Sequence, residues 1–345
     1  MSFQDIIGQD RAIRILRKTL EREKIPSSYL FAGESGIGKR MTAVNLAKAL
    51  NCLAVQENDH QSSLYDCCDM CSSCRKIAKN IHPDVRLITP ENNQIKIEEI
   101  REIEEILSLK AFEGKYKIVI VDEAEAMNQF SANAFLKTLE EPPEHSLIIL
   151  VSSNPDRLPD TIRSRCSRIN FMPLSLKACE DAIRKSTVGL PAKKQKKKGG
   201  TIRSPIEKQN IEAAARLAMG KPGRVLSEEL VEKRTWFISL LEGMLTMAKD
   251  GWASREEMEE WIDLMLILLR DMAVLNVTRS KRLLVNSDME EYVAQLGNAL
   301  DIKGIIEQYQ RLNTLKKHIH FNLNKSLTWN YVGSLLREDI GRLNA

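Results

Sequence analysis

The chain has 345 residues, 43% of them hydrophobic and 28% charged, with a net charge of +4. Those proportions are ordinary for a soluble globular protein of two or three domains, and the charge is too mild to prove a nucleic-acid partner. No apolar run approaches the roughly 18 residues of a membrane span. The N-terminal MSFQDIIGQD has no basic segment followed by an apolar core, so no secretory signal is visible and the expected location is cytoplasmic.

In chain order, residues 29–32 (YLFA) form a short apolar strand running into glycines. Residues 39–50 read as a helix with Ala43, Leu46, Ala47 and Leu50 on one side. Residues 85–88 are a second strand, and 97–109 a helix charged on one face. The run KIVIV at 117–121 is too continuously apolar to be half exposed, so it is a buried strand. Residues 129–140 are a helix stopped by Pro142 and Pro143; 147–151 (LIILV) is another buried strand and 169–171 a last one. Strands alternating with helices predict a parallel sheet covered on both faces over residues 1–172. After Pro173 the strand signal fades. Residues 173–228 read as a small helical domain interrupted by a Lys-rich loop at 191–204, whose run Lys193 to Lys198 repels itself and is expected to be solvated. From 229 to 345 everything readable is helical. Trp236, Leu240, Leu241 and Leu245, then Trp261, Met265, Leu268 and Leu269, recur at helical spacing and are assigned to core or subunit interface.

Four features carry chemistry. GESGIGKR, residues 33–40, follows a strand and opens a helix. Its Gly33, Gly36 and Gly38 allow backbone N–H groups to turn around phosphate oxygens, with the helix adding its positive end and Lys39 reaching the terminal phosphates. The pattern then requires a Ser or Thr hydroxyl for Mg²⁺, and the chain has Arg40, which adds a positive charge where the ion should sit. Thr42 is turned about 200° around the helix and does not replace it. ATP or ADP binding is therefore expected to be weak or absent and Mg²⁺ binding poor. Asp122 and Glu123, at the carboxyl end of the KIVIV strand, stand where an NTPase places a metal-organising carboxylate and a water-activating base.

Seven cysteines are present and four crowd into residues 67–74. Cys68-x2-Cys71-x2-Cys74 brings three thiolates to one ion, and Cys52 completes a tetrahedral set, implying structural Zn²⁺ in a module spanning 52–74. Cys67 is the spare or exchanges with Cys68. Finally, Arg165 in Ser164-Arg165-Cys166 is either a surface residue or an arginine finger offered to a neighbouring subunit's phosphates.

Several blocks together resemble bacterial clamp-loader AAA+ subunits, most of all the delta-prime family of DNA polymerase III subunits. They are FQDIIGQDRA (3–12), YLFAGESGIGK (29–39), HPDV (82–85), ANAFLKTLEEPPEH (132–145), LPDTIRSRC (158–166) and NLNKSL (322–327). The resemblance implies a RecA-like AAA+ parallel-sheet domain at 1–172, a helical lid at 173–228 and a helical C-terminal collar at 229–345. It implies a hetero-pentamer with motor and delta subunits that loads a sliding clamp onto primed DNA, with contact to clamp and primer-template made through the assembled complex. It also implies that Arg165 is supplied in trans to a motor's ATP and that no membrane is involved. Gly223 aligns with the motor's lid arginine, with Arg224 one residue on and turned by about 100°; Ser152 or Ser153 takes the polar sensor position. The expected function is a ring-assembly subunit with little ATPase of its own. The alternatives are an ATP-hydrolysing motor of the gamma/tau kind and, more distantly, a stand-alone zinc-dependent DNA-binding AAA+ protein.

Overall fold

The structure, a computed structural model, describes residues 2–57, 65–91, 94–188, 211–223, 230–247, 251–286, 289–319 and 323–340. The lysine run at 193–198, Arg224 and Asn322 lie outside the described residues. Two compact units emerge: residues 1–186 with 220–224, and residues 187–219 with 225–345.

In the first unit the elements follow in chain order. Helix α1 (Asp10–Glu21) precedes β1 (Ser28–Ala32) and α2 (Lys39–Leu50). The short helices α3 (Leu53–Glu57) and α4 (Ser72–Ala78) lead to β2 (Val85–Ile88). Then come α5 (Ile97–Ser108), β3 (Lys117–Val121), α6 (Gln129–Glu140) and β4 (Ser146–Ser152). Finally α7 (Asp160–Arg163), β5 (Ser167–Asn170) and α8 (Leu176–Val188) complete it. The strands form one parallel sheet in the order β2-β3-β4-β1-β5. This is the parallel sheet with flanking helices that the alternation of elements predicts. β1, β3 and β4 are buried along their whole length, as continuous apolar runs flanked by helices must be.

The last strand differs from the sequence expectation of 169–171. It starts two residues earlier, where Tyr29 pairs with Ser167 and Leu30 with Arg168. β5 lies at the sheet edge, so only Ile169 of its four residues is buried, and its alternating pattern hides it from a search for apolar runs. Local signals set other boundaries. The Asn128 side chain accepts the Ser131 N–H at 2.9 Å and caps α6. Burial of Ala12, Ile13, Leu16 and Leu20 seats one face of α1.

The second unit contains α9 (Ile211–Ala218), α10 (Leu230–Leu245), α11 (Arg255–Thr278), α12 (Glu290–Ala299), α13 (Ile302–His318) and α14 (Lys325–Ile340). Ser254 and Asp301 cap α11 and α13 through their side chains. Trp261, Met265, Leu268 and Leu269 are buried as their spacing predicted. On α10 the buried face is centred one residue away from the expected stripe, on Phe237, Leu241 and Met244; Trp236, Leu240 and Leu245 flank it, half-buried. The aromatic rings of Trp252, Trp261 and Trp329 meet edge to face at 5.1–5.8 Å between centroids, which locks α11 and α14 around the segment between α10 and α11. Among the described residues no helix is long and apolar enough to cross a membrane.

Candidate functional site: a phosphate-loop cleft and a four-cysteine cluster

A parallel sheet aims the carboxyl ends of its strands at one edge, and the loop after β1 lies beside the strand that β4 contributes. That edge carries a cleft of about 190 Å³ lined by Gly36, Gly38, Lys39, Asp122, Glu123 and Ser153, among others. Six of the seven residues expected at a nucleotide site are thus brought together, and Gly33 forms the base of the loop. Gly33 sits at φ 150°, and a Cβ there would lie 2.5 Å from the Phe171 carbonyl oxygen, so only glycine fits between the loop and the end of β5. Gly36 and Gly38 also have positive φ, and Gly38 is the N-cap of α2.

Lys39 is folded back into its own loop: its Nζ donates to the carbonyls of Gly33 at 2.5 Å and Glu34 at 2.6 Å. Burial pulls its ammonium below the usual lysine range, against the pull of Glu125, Asp122 and Glu123. Arg40 Nη1 lies 3.5 Å from Asp122 Oδ2. A guanidinium therefore faces the carboxylate that would organise a Mg²⁺. Burial raises the Asp122 carboxyl, while Arg40 opposes that rise. Burial also raises Glu123, with Asp122 and Glu125 adding repulsion. Thr42 donates its hydroxyl to the Gly38 carbonyl at 2.9 Å, inside its helix, and is fully buried. Ser153 donates through Oγ and N to Glu125 Oε1, a partner not foreseen from sequence.

The segment after α9 reaches the loop from the other side. Gly223 N donates to the Gly36 carbonyl at 2.9 Å, and Lys221 pairs with Glu34. A Cβ on Gly223 would fall 2.9 Å from Gly36 Cα, a backbone atom that cannot yield cheaply. The position aligned with a lid arginine is thus held by a glycine packed directly on the phosphate loop. Gln9 ties the phosphate loop to the segment after β5: buried, it donates to the carbonyls of Ile37 and Met172 and accepts from Met172 N.

Arg165 is bent onto its own subunit. Its Nη2 lies 2.5 Å from Glu140 Oε1, and Nη1 donates to the Thr161 carbonyl at 2.8 Å. Both partners of the ion pair are partly exposed, at 35% and 49%. Such a pair is worth about 0–1 kcal/mol and releases its arginine easily.

The cysteine cluster is assembled from the end of α2 and the α4 turn. The Sγ atoms of Cys52, Cys68, Cys71 and Cys74 all lie within 4.8 Å of one another. A tetrahedral Zn²⁺ with Zn–S bonds of about 2.3 Å needs sulfurs about 3.8 Å apart, so an ion fits with a small contraction. Amide donors already point at the sulfurs: Cys68 N to Cys52, Cys71 N to Cys68 and Cys74 N to Cys71, at 3.3–3.4 Å. Burial pushes the Cys52 thiol up to about 12, whereas around Cys71 the hydrogen bonds outweigh burial and lower it to about 7. Cys67 is buried beside the four but outside this set.

The HPDV block serves this module as a brace. His82 Nδ1 accepts the Asp84 N–H at 3.1 Å, which leaves Nε2 as the donor to Ser73 Oγ, 3.1 Å away; Ser73 Oγ in turn donates to the Asn51 carbonyl at 2.6 Å. Asn51 precedes Cys52 and Ser73 precedes Cys74, so one buried histidine ties the two halves of the cluster. Asp84 accepts three backbone N–H groups, from Phe112, Glu113 and Gly114. Asp66, next to Cys67, accepts from Phe3 N and Gln4 N, and so anchors the N-terminal block to the module.

Residues 8–175 match the family model described as "DNA polymerase III, delta subunit", and residues 229–332 match "DNA polymerase III, delta subunit, C terminal". DNA polymerase III subunit delta' of Bacillus subtilis strain 168 is 27% identical over 341 residues, 96% of each chain. DNA polymerase III subunit tau of the same organism is 35% identical over 176 residues, and that of Escherichia coli K12 is 33% identical over 175. Each tau alignment takes 51% of this chain but only 30% and 26% of those longer proteins. A crystal structure of a DNA polymerase III gamma subunit-related protein from Thermotoga maritima aligns over 95% of this chain and 99% of its own, at 18% identity and a TM-score of 0.44. With one model lying on the sheet unit and the other on the helical unit, the chain belongs to the DNA polymerase III delta-subunit family.

Proposed function

We propose that this chain is a delta-prime-type subunit of the DNA polymerase III clamp loader, a ring-assembly subunit that helps place the sliding clamp on primed DNA without hydrolysing ATP itself. The observation that carries this reading is the Arg40–Asp122 pair, 3.5 Å apart. Phosphoryl transfer leans on a metal ion held near that carboxylate, and here a side-chain cation faces it instead. Lys39 turned into its own loop and Gly223 packed on Gly36 support the same conclusion. Arg165 is then the residue that acts on phosphate, in trans, at a motor subunit's ATP. In the ring it exchanges Glu140 for that phosphate, a trade between two anions that costs little because the resting pair is half exposed. Residues 173–228 serve as lid and 229–345 as collar, joining motor and delta neighbours in a hetero-pentamer. Cys52, Cys68, Cys71 and Cys74 hold a structural Zn²⁺, which supplies rigidity and no open ligand position.

The second reading is an ATP-hydrolysing motor of the tau kind. The 35% identity to B. subtilis tau over half the chain favours it, as do Lys39, Asp122 and Glu123 on one cleft. Calorimetric titration of the purified chain with ATP, with and without Mg²⁺, separates the two. Binding that is absent or indifferent to Mg²⁺ is expected. Tight Mg²⁺-dependent binding moves the motor reading to first place.

A further inference from the structure

Behind Ser153 of the cleft lies a third carboxylate to which the motif reading gave no role. Glu125 lies in the short turn Ala124–Ala126 between β3 and α6. Its Oε1 accepts three hydrogen bonds, from Ser153 N at 2.9 Å, from Asn154 N at 3.2 Å and from Ser153 Oγ. These donors sit where β4 ends, and Ser153 lines the same cleft as Gly36, Gly38 and Lys39. Two successive backbone N–H groups and a hydroxyl converging on one oxygen make an anion cradle, of the kind that elsewhere receives a phosphate oxygen. Burial raises the Glu125 carboxyl, but the hydrogen bonds, led by that from the Ser153 side chain, bring it below the usual glutamate range, so it is an anion at neutral pH. Of the acids that attract the Lys39 ammonium, Glu125 is the strongest. The chain's own carboxylate thus occupies the donors at the end of β4.

We propose that Glu125 is a built-in substitute for a nucleotide's terminal phosphate, filling the donors at the end of β4 so that the cleft rejects a nucleoside triphosphate relative to a nucleoside diphosphate. This rests on the reading of the cleft as a phosphate-binding site descended from an NTPase. A triphosphate entering the loop after β1 brings its last phosphoryl group towards Asp122, Glu123 and Glu125 together, and finds the Ser153 and Asn154 donors taken. A diphosphate stops one phosphoryl group short and meets the loop amides and Lys39 without that repulsion. Arg40 does not offset the effect, because it is already paired with Asp122.

The test is the ratio of ATP to ADP affinity, measured by calorimetry on the full chain with and without Mg²⁺, for the parent, Glu125→Gln, Glu125→Ala and Ser153→Ala. Glu125→Gln keeps an acceptor of the same shape, so it holds the turn in place while removing the charge. The expected result is a gain of about tenfold or more in ATP affinity relative to ADP for both Glu125 variants, with ADP affinity within about twofold of the parent. Ser153→Ala leaves the carboxylate in place and shows no such gain. A parent-like ratio in Glu125→Gln and Glu125→Ala overturns the proposal. So does a parallel rise for both nucleotides, which would mark a loosened cleft, and so does failure of every variant to bind ATP. Tight Mg²⁺-dependent ATP binding by the parent is a different failure: it sinks the non-hydrolysing reading, while the ratio alone decides the role of Glu125.

Discussion

Asp84→Asn removes one charge from the least exposed carboxylate of the sheet unit's brace and tests whether that brace supports the fold. The Asp84 side chain is fully buried. It accepts Phe112 N at 2.7 Å on Oδ1, and Glu113 N and Gly114 N at 2.8 Å each on Oδ2; Lys117 Nζ lies 3.5 Å from Oδ1. An asparagine can present only one oxygen. Its amide nitrogen, placed in the other position, faces either two N–H donors or one N–H and an ammonium, all of which repel it. At least one charge-assisted hydrogen bond is lost, worth about 1.5–3 kcal/mol, and a buried lysine loses its counter-ion. Breaking a buried pair on one side costs about 3–5 kcal/mol, a large share of the roughly 5–15 kcal/mol that holds a domain. The melting transition of the sheet unit should fall by roughly 6–20 °C. Burial pushes the Asp84 carboxyl up, yet the three amides and Lys117 outweigh it and leave it depressed. A depressed folded-state value means the stabilisation is fully present above the unfolded value of about 3.9 and fades as pH falls below it through the folded value. The gap between parent and variant, followed by circular dichroism, should therefore be constant near neutral pH and narrow below about pH 4. A loss under about 1 kcal/mol, or a gap that widens in acid, would refute the assignment of Asp84 as a charged anchor.

Four further outcomes follow from the geometry. Arg40→Thr frees Asp122 and restores a hydroxyl, so nucleotide binding should acquire a Mg²⁺-dependent component while steady-state hydrolysis stays absent; hydrolysis at a motor's rate would show that Arg40 alone disables the site. Serine at Cys52, Cys68, Cys71 or Cys74 should remove zinc from the purified chain by atomic absorption, whereas Cys67→Ser keeps about one ion per chain; the reverse pattern for Cys67 and Cys68 would exchange their assignments. Glu140→Gln should change stability by less than about 1 kcal/mol, because the pair it breaks is half exposed, and should leave the assembled loader's ATPase intact. If Arg165 acts in trans as proposed, Arg165→Ala should cost about 10³-fold at that motor site, and unchanged turnover in that complex would remove Arg165 from the reaction.

The order of elements was legible because each strand of the sheet's interior is an uninterrupted apolar run and each helix between them has its own stop. Lys117–Val121 and Gln129–Glu140 fall where their patterns place them. β5 was displaced because an edge strand needs only one buried residue, and pairing with β1, which no local pattern encodes, decides its start. On α10 the assigned residues all belong to the core, Leu241 fully buried and Trp236, Leu240 and Leu245 packed against it; that Phe237 lies deeper than Trp236 is decided by the neighbouring helices, since both are apolar. The glycines, Lys39, Arg40 and Asp122 announced a phosphate loop with a compromised metal position. That Arg40 meets Asp122, and at 3.5 Å, is a fact of three dimensions, since β4 lies between β1, whose loop leads to Arg40 at the start of α2, and β3, which ends just before Asp122.

Residue type and spacing by themselves determined the chemistry on offer: a loop for phosphate, a lost hydroxyl, four sulfurs in a short stretch, and a helical second half. These are short-range properties, fixed by which atoms a residue carries and how far along a strand or helix its neighbours lie. Tertiary structure decided how those groups are spent. Glu125 against Ser153, Gly223 against Gly36, Arg165 against Glu140 and His82 against Ser73 are separated by 28, 187, 25 and 9 positions in the chain. Such pairings arise from sheet order and from the closure of loops over it, and so they follow from the packing of whole elements, which no local pattern in the sequence records.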